Sequence, residues 1–334
     1  MTRAFQKAAE MRFTQRTNRP GIAHCFMYGV LVVACATAMT GIPTRWSTAA
    51  AQARERTFAT PEDAVKAVID TAKAGNLDTL LAIFGADGKE LIASSDPATA
   101  RMNRQVFVVA AGEQWHLEDA APNRKTLVIG HEEWPFPVPI VKDANGWRFD
   151  TAAGKEEVIV RRIGRNELSA IETVRAYVTA QRRYAEQGHD SKPAGLYAAK
   201  FTSDSGKENG LYWPVAKGQK RSPLGDLVAQ AAEEGRPVGA GQGQPSPFHG
   251  YYFKILTAQG SAASGGAKSY IVKGEMSGGY ALVAWPAEYD VTGVMTFAVN
   301  QDGVVREKDL GRGTDATARK MTAYNPDSSW QTVQ

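Results

Sequence analysis

The sequence predicts an α+β protein of two domains, and three observations carry that expectation. Between Phe58 and Asp150, helical patterns come first and strand patterns follow. The same order returns from about Lys155: a long helical pattern, then loops and short helices, then strands and turns to the end. The turns between strands are of hairpin type, so neighbouring strands should pair antiparallel. The expected boundaries are 1–53 for a signal peptide, 54–155 for an N-terminal α+β domain, and 156–334 for a C-terminal domain. The last should pack a long helix on an antiparallel sheet.

TPEDAVKAVIDTAKAGN, from Thr60, reads as a helix with both ends marked. Thr60 can cap it, and Pro61 sits in the first turn, where its missing N–H costs nothing. Val65, Val68, Ile69 and Ala72 make one apolar stripe, and Gly75 can take a left-handed stop. Leu77, Leu80, Leu81 and Phe84 repeat the spacing in a second short helix, and Asp96-Pro97 opens a third that runs to about Gly112. TLVIG, VPIV and WRFD read as strands, with Asn145-Gly146 as a hairpin signal between the last two.

The long helix is expected from Lys155 to Gln187, with a break at Gly164. Ile171, Val174, Val178 and Gln181 follow one edge of it, and Tyr177 and Tyr184 a neighbouring edge. Arg161, Arg162 and Arg165 cluster within it. Such a cluster is either a partner surface or, more commonly, a solvated face paired to nearby acids. PLGDLVAQAAEEG is another helix, and RPVGAGQGQPSP is an exposed loop. Beyond that loop the pattern is all strand and turn, including HGYYFKILTA, YALVAWPAEYD, VTGVMTFAVN and VVREKDL.

Composition narrows the class. The chain has 334 residues, 43% hydrophobic and 22% charged, which is globular rather than disordered. The net charge of +4 is misleading. Residues 1–53 hold six basic residues and one acid, leaving 33 basic and 34 acidic residues in the rest. A body so close to neutral gives no electrostatic reason to expect nucleic acid as a partner.

The basic N-terminus precedes an uncharged run from Gly21 to Thr44, and Ala51 and Ala53 supply small residues for a cut before Arg54. This is signal-peptide architecture, and translation from either Met1 or Met11 fits it. The expectation is cleavage after Ala53 and a periplasmic or secreted protein. Two alternatives stay open, an uncleaved inner-membrane anchor and lipidation at Cys35. Both cysteines, Cys25 and Cys35, lie in this segment, so the mature chain would hold no disulfide, thiol nucleophile or cysteine metal site.

Several long strings carry a family resemblance: WPFPVPIV, NGWRFDTAAGKEEVIVRRIGRNELSAI, LYWP, PFHGYYFKILTAQG, GGYALVAWPAEYDVTGVMTFAVNQDGVVREKDLG and YNPDSSW. From about Thr60 to Trp330 the chain resembles the bacterial family of domain of unknown function 2950. The resemblance implies an exported envelope protein and assigns no activity and no catalytic residues. The helical opening also resembles the cone-shaped fold of nuclear-transport-factor-2-like proteins. More weakly, AIETVRAYVTAQRRYA, GYYFKI and TGVMTFAVNQDGVV resemble the soluble part of pseudopilins. A pilin helix, however, continues from its N-terminal anchor, whereas a whole domain intervenes here.

The densest chemistry lies in SPFHGYYFKILTAQG. His249 could be a general base or a ligand contact, or a histidine packed at a strand entry. Alternation should place Tyr251, Phe253 and Ile255 in the core, with Tyr252 and Lys254 on the surface as possible groove residues. Glu288 and Asp290, with Trp285 near them, could do glycoside chemistry as paired carboxylates, or be turn residues. WPFPVP offers Trp134 and Phe136 on an aromatic–proline ridge, which could dock a partner or a glycan, or guard a sheet edge. His131 and Glu133 are the nearest thing to a metal pair. On a strand the side chains of HEEW would alternate, so they would not converge and no metal is expected. GAGQGQ lacks the Lys and Ser/Thr of a phosphate loop, and no cofactor is implied.

The residues together suggest a non-catalytic binding or assembly module of the envelope, with Trp134, Phe136, Tyr252, Lys254 and Trp285 as binding candidates and an envelope protein or glycan as partner. One alternative is a periplasmic hydrolase using His249 with Glu288 and Asp290. The other is a membrane-tethered scaffold.

Overall fold

Capping decides where the first helices begin and end, in a computed structural model that describes residues 55–92, 97–216, 218–219, 221–233 and 247–333. The segment expected to be a signal peptide, with Cys25 and Cys35, and the run GAGQGQ lie outside those residues. Helix α1 spans Pro61–Ala74, and the Thr60 hydroxyl accepts from the Asp63 N–H at 3.1 Å. Gly75 stops it at φ 67°, where its N–H and that of Asn76 reach back to the carbonyls of Ala72 and Thr71. Asn76 then caps α2, Leu77–Phe84, by accepting from the Thr79 N–H. The buried side of α2 is Leu80, Ile83 and Phe84, and Leu77 faces water. The expected stripe was thus rotated, because Ile83 rather than Leu81 completes the i, i+3, i+4 set. A single-turn α3, Lys89–Ile92, and then α4, Pro97–Glu113, complete the helical part.

Strands β1 (Trp115–Ala121), β2 (Arg124–Ile129), β4 (Ile140–Asp143) and β5 (Gly146–Phe149) follow in that spatial order. A short β3, Trp134–Pro135, pairs with the far end of β2. Strand β1, WHLEDAA, is absent from the sequence expectation. Most of it is exposed, so it carries no apolar alternation. His131, Glu132 and Glu133 form a turn rather than a strand, with Gly130 at φ 75° and Glu133 at φ 52°, and only Trp134 enters β3. The β4–β5 hairpin turns through Ala144 and Asn145, and Gly146 closes it at φ 125°. The glycine is needed there, because a Cβ would sit 2.6 Å from the Phe58 carbonyl oxygen. That carbonyl accepts from the Trp147 N–H, while the Phe58 N–H donates to Trp147, both at 2.8 Å. The core of this part joins Val65, Val68, Ile69, Leu80, Ile83, Phe84, Leu127, Ile129, Ile140 and Phe149.

Helix α5 runs unbroken from Thr151 to Ala185. It starts four residues before the expected Lys155 and passes straight through Gly164. A mid-helix glycine costs about 1 kcal/mol relative to alanine, too little to break so long a helix. The early start is fixed locally. Asp150 accepts from the Ala153 N–H, Glu55 accepts from the Thr151 N–H, and the Thr151 hydroxyl donates to the Phe84 carbonyl at 2.7 Å. The chain divides into two compact units, with the division between Val158 and Ile159 inside this helix.

The second unit contains α6, Gly225–Glu233, and a five-stranded antiparallel sheet. Its strands are β6 (Tyr251–Leu256), β11 (Ala281–Pro286), β12 (Met295–Asn300), β13 (Arg306–Asp309) and β15 (Gln331–Thr332), in the order β15-β13-β12-β11-β6. Minor pairings lie beside it. Strands β7 (Ala258–Gln259), β8 (Lys268–Ser269) and β14 (Ala323–Tyr324) form one group, and β9 (Ile271–Val272) with β10 (Glu275–Met276) another. The fold class is α+β, antiparallel apart from the short β7–β14 pair. No helix among the described residues is long and apolar enough to cross a membrane.

A helix absent from the sequence expectation, α7, Thr314–Lys320, lies in the region read as strand and turn. TDATARK has almost no apolar face, so periodicity could not reveal it. Its presence changes β6. Tyr251 is fully buried as expected, but Tyr252 and Lys254 are half-buried under α7 instead of on the surface. Phe253 and Ile255 are likewise only half-buried. Tyr251 packs its ring 5.8 Å from that of Phe297, and its hydroxyl donates to the Met295 carbonyl at 3.0 Å. Gly293 makes room for that ring, because any Cβ there would overlap the Tyr251 ring and hydroxyl.

Two substitutions test this packing in urea unfolding. Tyr251→Ala should lower the unfolding free energy by about 3–5 kcal/mol, the cost of emptying a buried aromatic site. Gly146→Ala should lower it by at least about 1 kcal/mol through backbone strain and the clash with the Phe58 carbonyl, whereas Gly195→Ala, strained at φ 91° but with nothing within 4 Å, should lose less.

Candidate functional site

The register of β6 on β11 creates a loop cluster at one end of the C-terminal sheet. Tyr251 pairs with Pro286, so the residues before β6 and after β11 emerge together. His249 and Gly250 form a left-handed turn, at φ 46° and 74°, between the bridged residues Phe248 and Tyr251. The Gly250 carbonyl accepts from the Ala287 N–H at 2.9 Å, which ties this turn to the segment holding Glu288 and Asp290. That segment is itself a tight loop. The Glu288 N–H donates to the Thr292 hydroxyl at 3.0 Å, the Asp290 N–H donates to the Gly293 carbonyl at 2.9 Å, and Asp290 sits at φ 66°. A non-glycine residue in this region stores strain of about 1–3 kcal/mol, and such residues gather at functional sites. His249 is half-buried with its ring against Phe248, while Glu288 and Asp290 are exposed.

Helix α5 pins both turns from beneath, using residues the sequence reading did not single out. The Asn166 side-chain amide donates to the Thr292 carbonyl at 2.8 Å, and a Cβ on Gly250 would lie 2.5 Å from that amide nitrogen. Glu167 is buried at 3% exposure, and one oxygen accepts from the N–H groups of Val294 and Met295, each at 3.0 Å. A signal for Glu167 was present. It sits four residues after Ile163 and three before Ala170, inside the apolar stripe, where an acid needs dedicated partners.

Just past the end of α5, His189 is buried with Nδ1 at 3.0 Å from a Glu208 carboxylate oxygen and Nε2 at 3.0 Å from the Tyr184 carbonyl oxygen. It stacks on the Tyr184 ring at 4.1 Å. Both nitrogens are engaged in holding the loop after α5. Burial first, then Asp190 and Glu208, pushes the Tyr184 phenol up to about 12. No sequence pattern announced this histidine.

A family model described as Protein of unknown function (DUF2950) matches residues 55–333. The chain belongs to that family. No curated protein and no solved structure matches the chain.

In this DUF2950 protein the five binding candidates fall into two places. Tyr252, Lys254 and Trp285 meet on the sheet face beneath α7. Trp285 keeps only 4% of its surface exposed, and its indole N–H donates to Asp315 at 2.9 Å. Asp315 also accepts from Arg319, whose guanidinium lies 5.1 Å over the Tyr252 ring and 5.9 Å over the Trp285 ring. The Lys254 ammonium donates to the Arg319 carbonyl at 2.7 Å, satisfying a carbonyl in the last turn of α7. These three residues are engaged in docking that helix. Trp134 and Phe136 belong to the other unit. Phe136 is wedged among Phe84, Phe107 and Phe149, and Trp134 meets its edge at 6.3 Å while remaining 39% exposed. Among the described residues no three His, Cys, Asp or Glu side chains converge to hold a metal ion. The His131 N–H donates to Glu113.

The α7 dock has a pH signature. Hydrogen bonds from Arg319 and then from Trp285 hold the Asp315 carboxyl below its ordinary range. A depressed folded pKa contributes stability that is complete above the unfolded value of about 3.9 and is lost as pH falls through the folded value. Asp315→Asn should therefore flatten the loss of unfolding free energy below about pH 4, measured by urea titration at several pH values. An acid profile identical to wild type would remove Asp315 from the account.

Proposed function

We propose that this protein is an exported, non-catalytic binding or assembly module of the cell envelope, and that its N-terminal unit has the cone-shaped nuclear-transport-factor-2-like arrangement. The observation that carries the reading is a contrast between the two groups of binding candidates. Tyr252, Lys254 and Trp285 are committed to α7, whereas Trp134 keeps a large exposed surface beside a rigid ring cluster. A large aromatic held in place while facing water is suited to a protein or glycan partner, because little entropy is lost when it is covered. On α4, Val106 and Val109 are 63% and 64% exposed, which adds apolar surface to the same unit. Export is supported by the N-terminal pattern and by the family match beginning at residue 55, next to the expected cut after Ala53.

A second reading, a periplasmic hydrolase, is favoured by one feature: the turns bearing His249 and Glu288–Asp290 share one end of the sheet. The pseudopilin likeness of the C-terminal unit remains a matter of shape, a helix with an antiparallel sheet. It implies no pilus.

Mass spectrometry on the protein from its own host's envelope, native and then denatured, separates these readings. The denatured mass should place the N-terminus at Arg54, and an intact or lipidated N-terminus would instead favour the tethered scaffold. The native mass should include a partner or ligand that Trp134→Ala loses and that His249→Gln with Glu288→Gln retains. The reverse pattern would favour the hydrolase.

A further inference from the structure

Three arginines on α5 face the same way. Arg161 and Arg165 are one turn apart and Arg162 lies between them, so at about 100° per residue all three fall within about 100° of the circumference. The rise of 1.5 Å per residue puts Arg161 and Arg165 about 6 Å apart along the axis. Arg162 and Arg165 are exposed. Among the described residues neither makes a hydrogen bond or an ion pair with an acid. The common fate of such a cluster, a solvated face neutralised by neighbouring carboxylates, does not apply to these two.

The local electrostatics agree. Between Ile159 and Ile171 the only acid is Glu167, which is buried and bound to the N–H groups of Val294 and Met295. Glu157 lies one turn before Arg161, and both of these have partners, which leaves Arg162 and Arg165 as the open members of the cluster. Although Arg165 is exposed as a residue, flanking protein partly desolvates its guanidinium, and Arg162 and Arg161 then repel it, so its pKa is lowered. Positive charge is thus held together with no acidic side chain to relieve Arg165. Guanidinium forks match oxyanions bidentately, and phosphate, with up to two charges and several oxygens, answers a cluster better than a single carboxylate does.

We propose that Arg161, Arg162 and Arg165 form an oxyanion-binding surface that takes phosphate groups, either free or presented as a lipid headgroup. The near-neutral body of the protein confines this to a local site, unlike the broad basic face that nucleic acid requires. The proposal depends neither on export nor on what Trp134 or the loop cluster binds.

The test uses the full chain with two probes, inorganic pyrophosphate by calorimetric titration and vesicles of phosphatidylglycerol or phosphatidylcholine by co-sedimentation. Wild type should bind pyrophosphate, and binding should weaken as salt rises. Arg162→Gln with Arg165→Gln should weaken it by about tenfold or more, since each charged hydrogen-bonding group contributes on the order of a tenfold effect. The melting temperature should stay level or rise in that variant, because a repulsion has been removed, and this separates lost binding from lost folding. The lysine pair, Arg162→Lys with Arg165→Lys, should bind with intermediate strength. Arginine-dependent binding to phosphatidylglycerol but not phosphatidylcholine would point to a lipid surface. Dependence on the arginines for pyrophosphate alone would point to a soluble phosphate ligand. The N-terminal segment is common to all variants and cancels in these comparisons. Equal binding by wild type and the glutamine variant, or no binding to either probe, would overturn the proposal.

Discussion

Strand β11 must stay dry on both faces, and the C-terminal unit is arranged around that constraint. All six residues of ALVAWP are buried. Its backbone is paired on one side by β6 and on the other by β12. On one face, α7 closes over Trp285, held by the indole bond to Asp315 and the Arg319 guanidinium above the rings. Helix α5 contributes Val174, Tyr177 and Val178 to the same core, with the Tyr177 hydroxyl donating to the Ala281 carbonyl at 3.2 Å. Each large apolar side chain sequestered this way contributes about 1.5–3 kcal/mol, so uncovering either face would remove a large part of the unit's stability.

Long loops must then be brought to the buried face of a helix, which has few polar groups to offer. Helix α5 solves this with a small number of buried polar side chains, each with partners. Asn166 and Glu167 hold the β11–β12 turn. Gln181 exchanges two bonds with Ala198, donating to its carbonyl at 2.8 Å and accepting from its N–H at 2.9 Å. The Tyr184 carbonyl receives His189, and the Tyr184 hydroxyl donates to the Glu208 carbonyl at 2.9 Å. Burying such groups without partners would cost several kcal/mol, so their pairing fixes the loops in one arrangement.

The amphipathic helices and the central strands were legible because their side chains report burial directly. α1 was readable to the residue, since Thr60, Pro61 and Gly75 act through local chemistry that sequence contains. Strand β1 and helix α7 were not. The first is exposed, and the second is polar and acts through Asp315 and Arg319, so neither has an apolar period to detect. The absence of α7 from the pattern misplaced Tyr252 and Lys254, whose covering helix was unseen, and Phe253 and Ile255 on the other side are no more buried than they are. In the loop cluster, His249, Glu288 and Asp290 could be found by residue type. That the two turns meet follows only from the β6–β11 register, a long-range fact. Glu167 lay in plain view inside an apolar stripe, but its partners at Val294 and Met295 are more than a hundred residues away.

The shifted ionisable groups serve the fold. Asp143, Asp204, Asp315 and Asp327 are all held below the ordinary carboxylate range by hydrogen bonds, from the Asn145 N–H, Lys200, Arg319 and Ser329 in turn. The phenols of Tyr177, Tyr184, Tyr270, Tyr280 and Tyr324 are all pushed up, chiefly by burial. Both movements carry the group away from neutral pH. The displaced aspartates stay ionised and the displaced tyrosines neutral, each in the form that holds a turn, a helix or a core together. Arg165 departs from this pattern: its charge is made less favourable by its surroundings and it makes no bond to an acid. A group whose charge the fold itself does not reward is where a ligand has most to contribute.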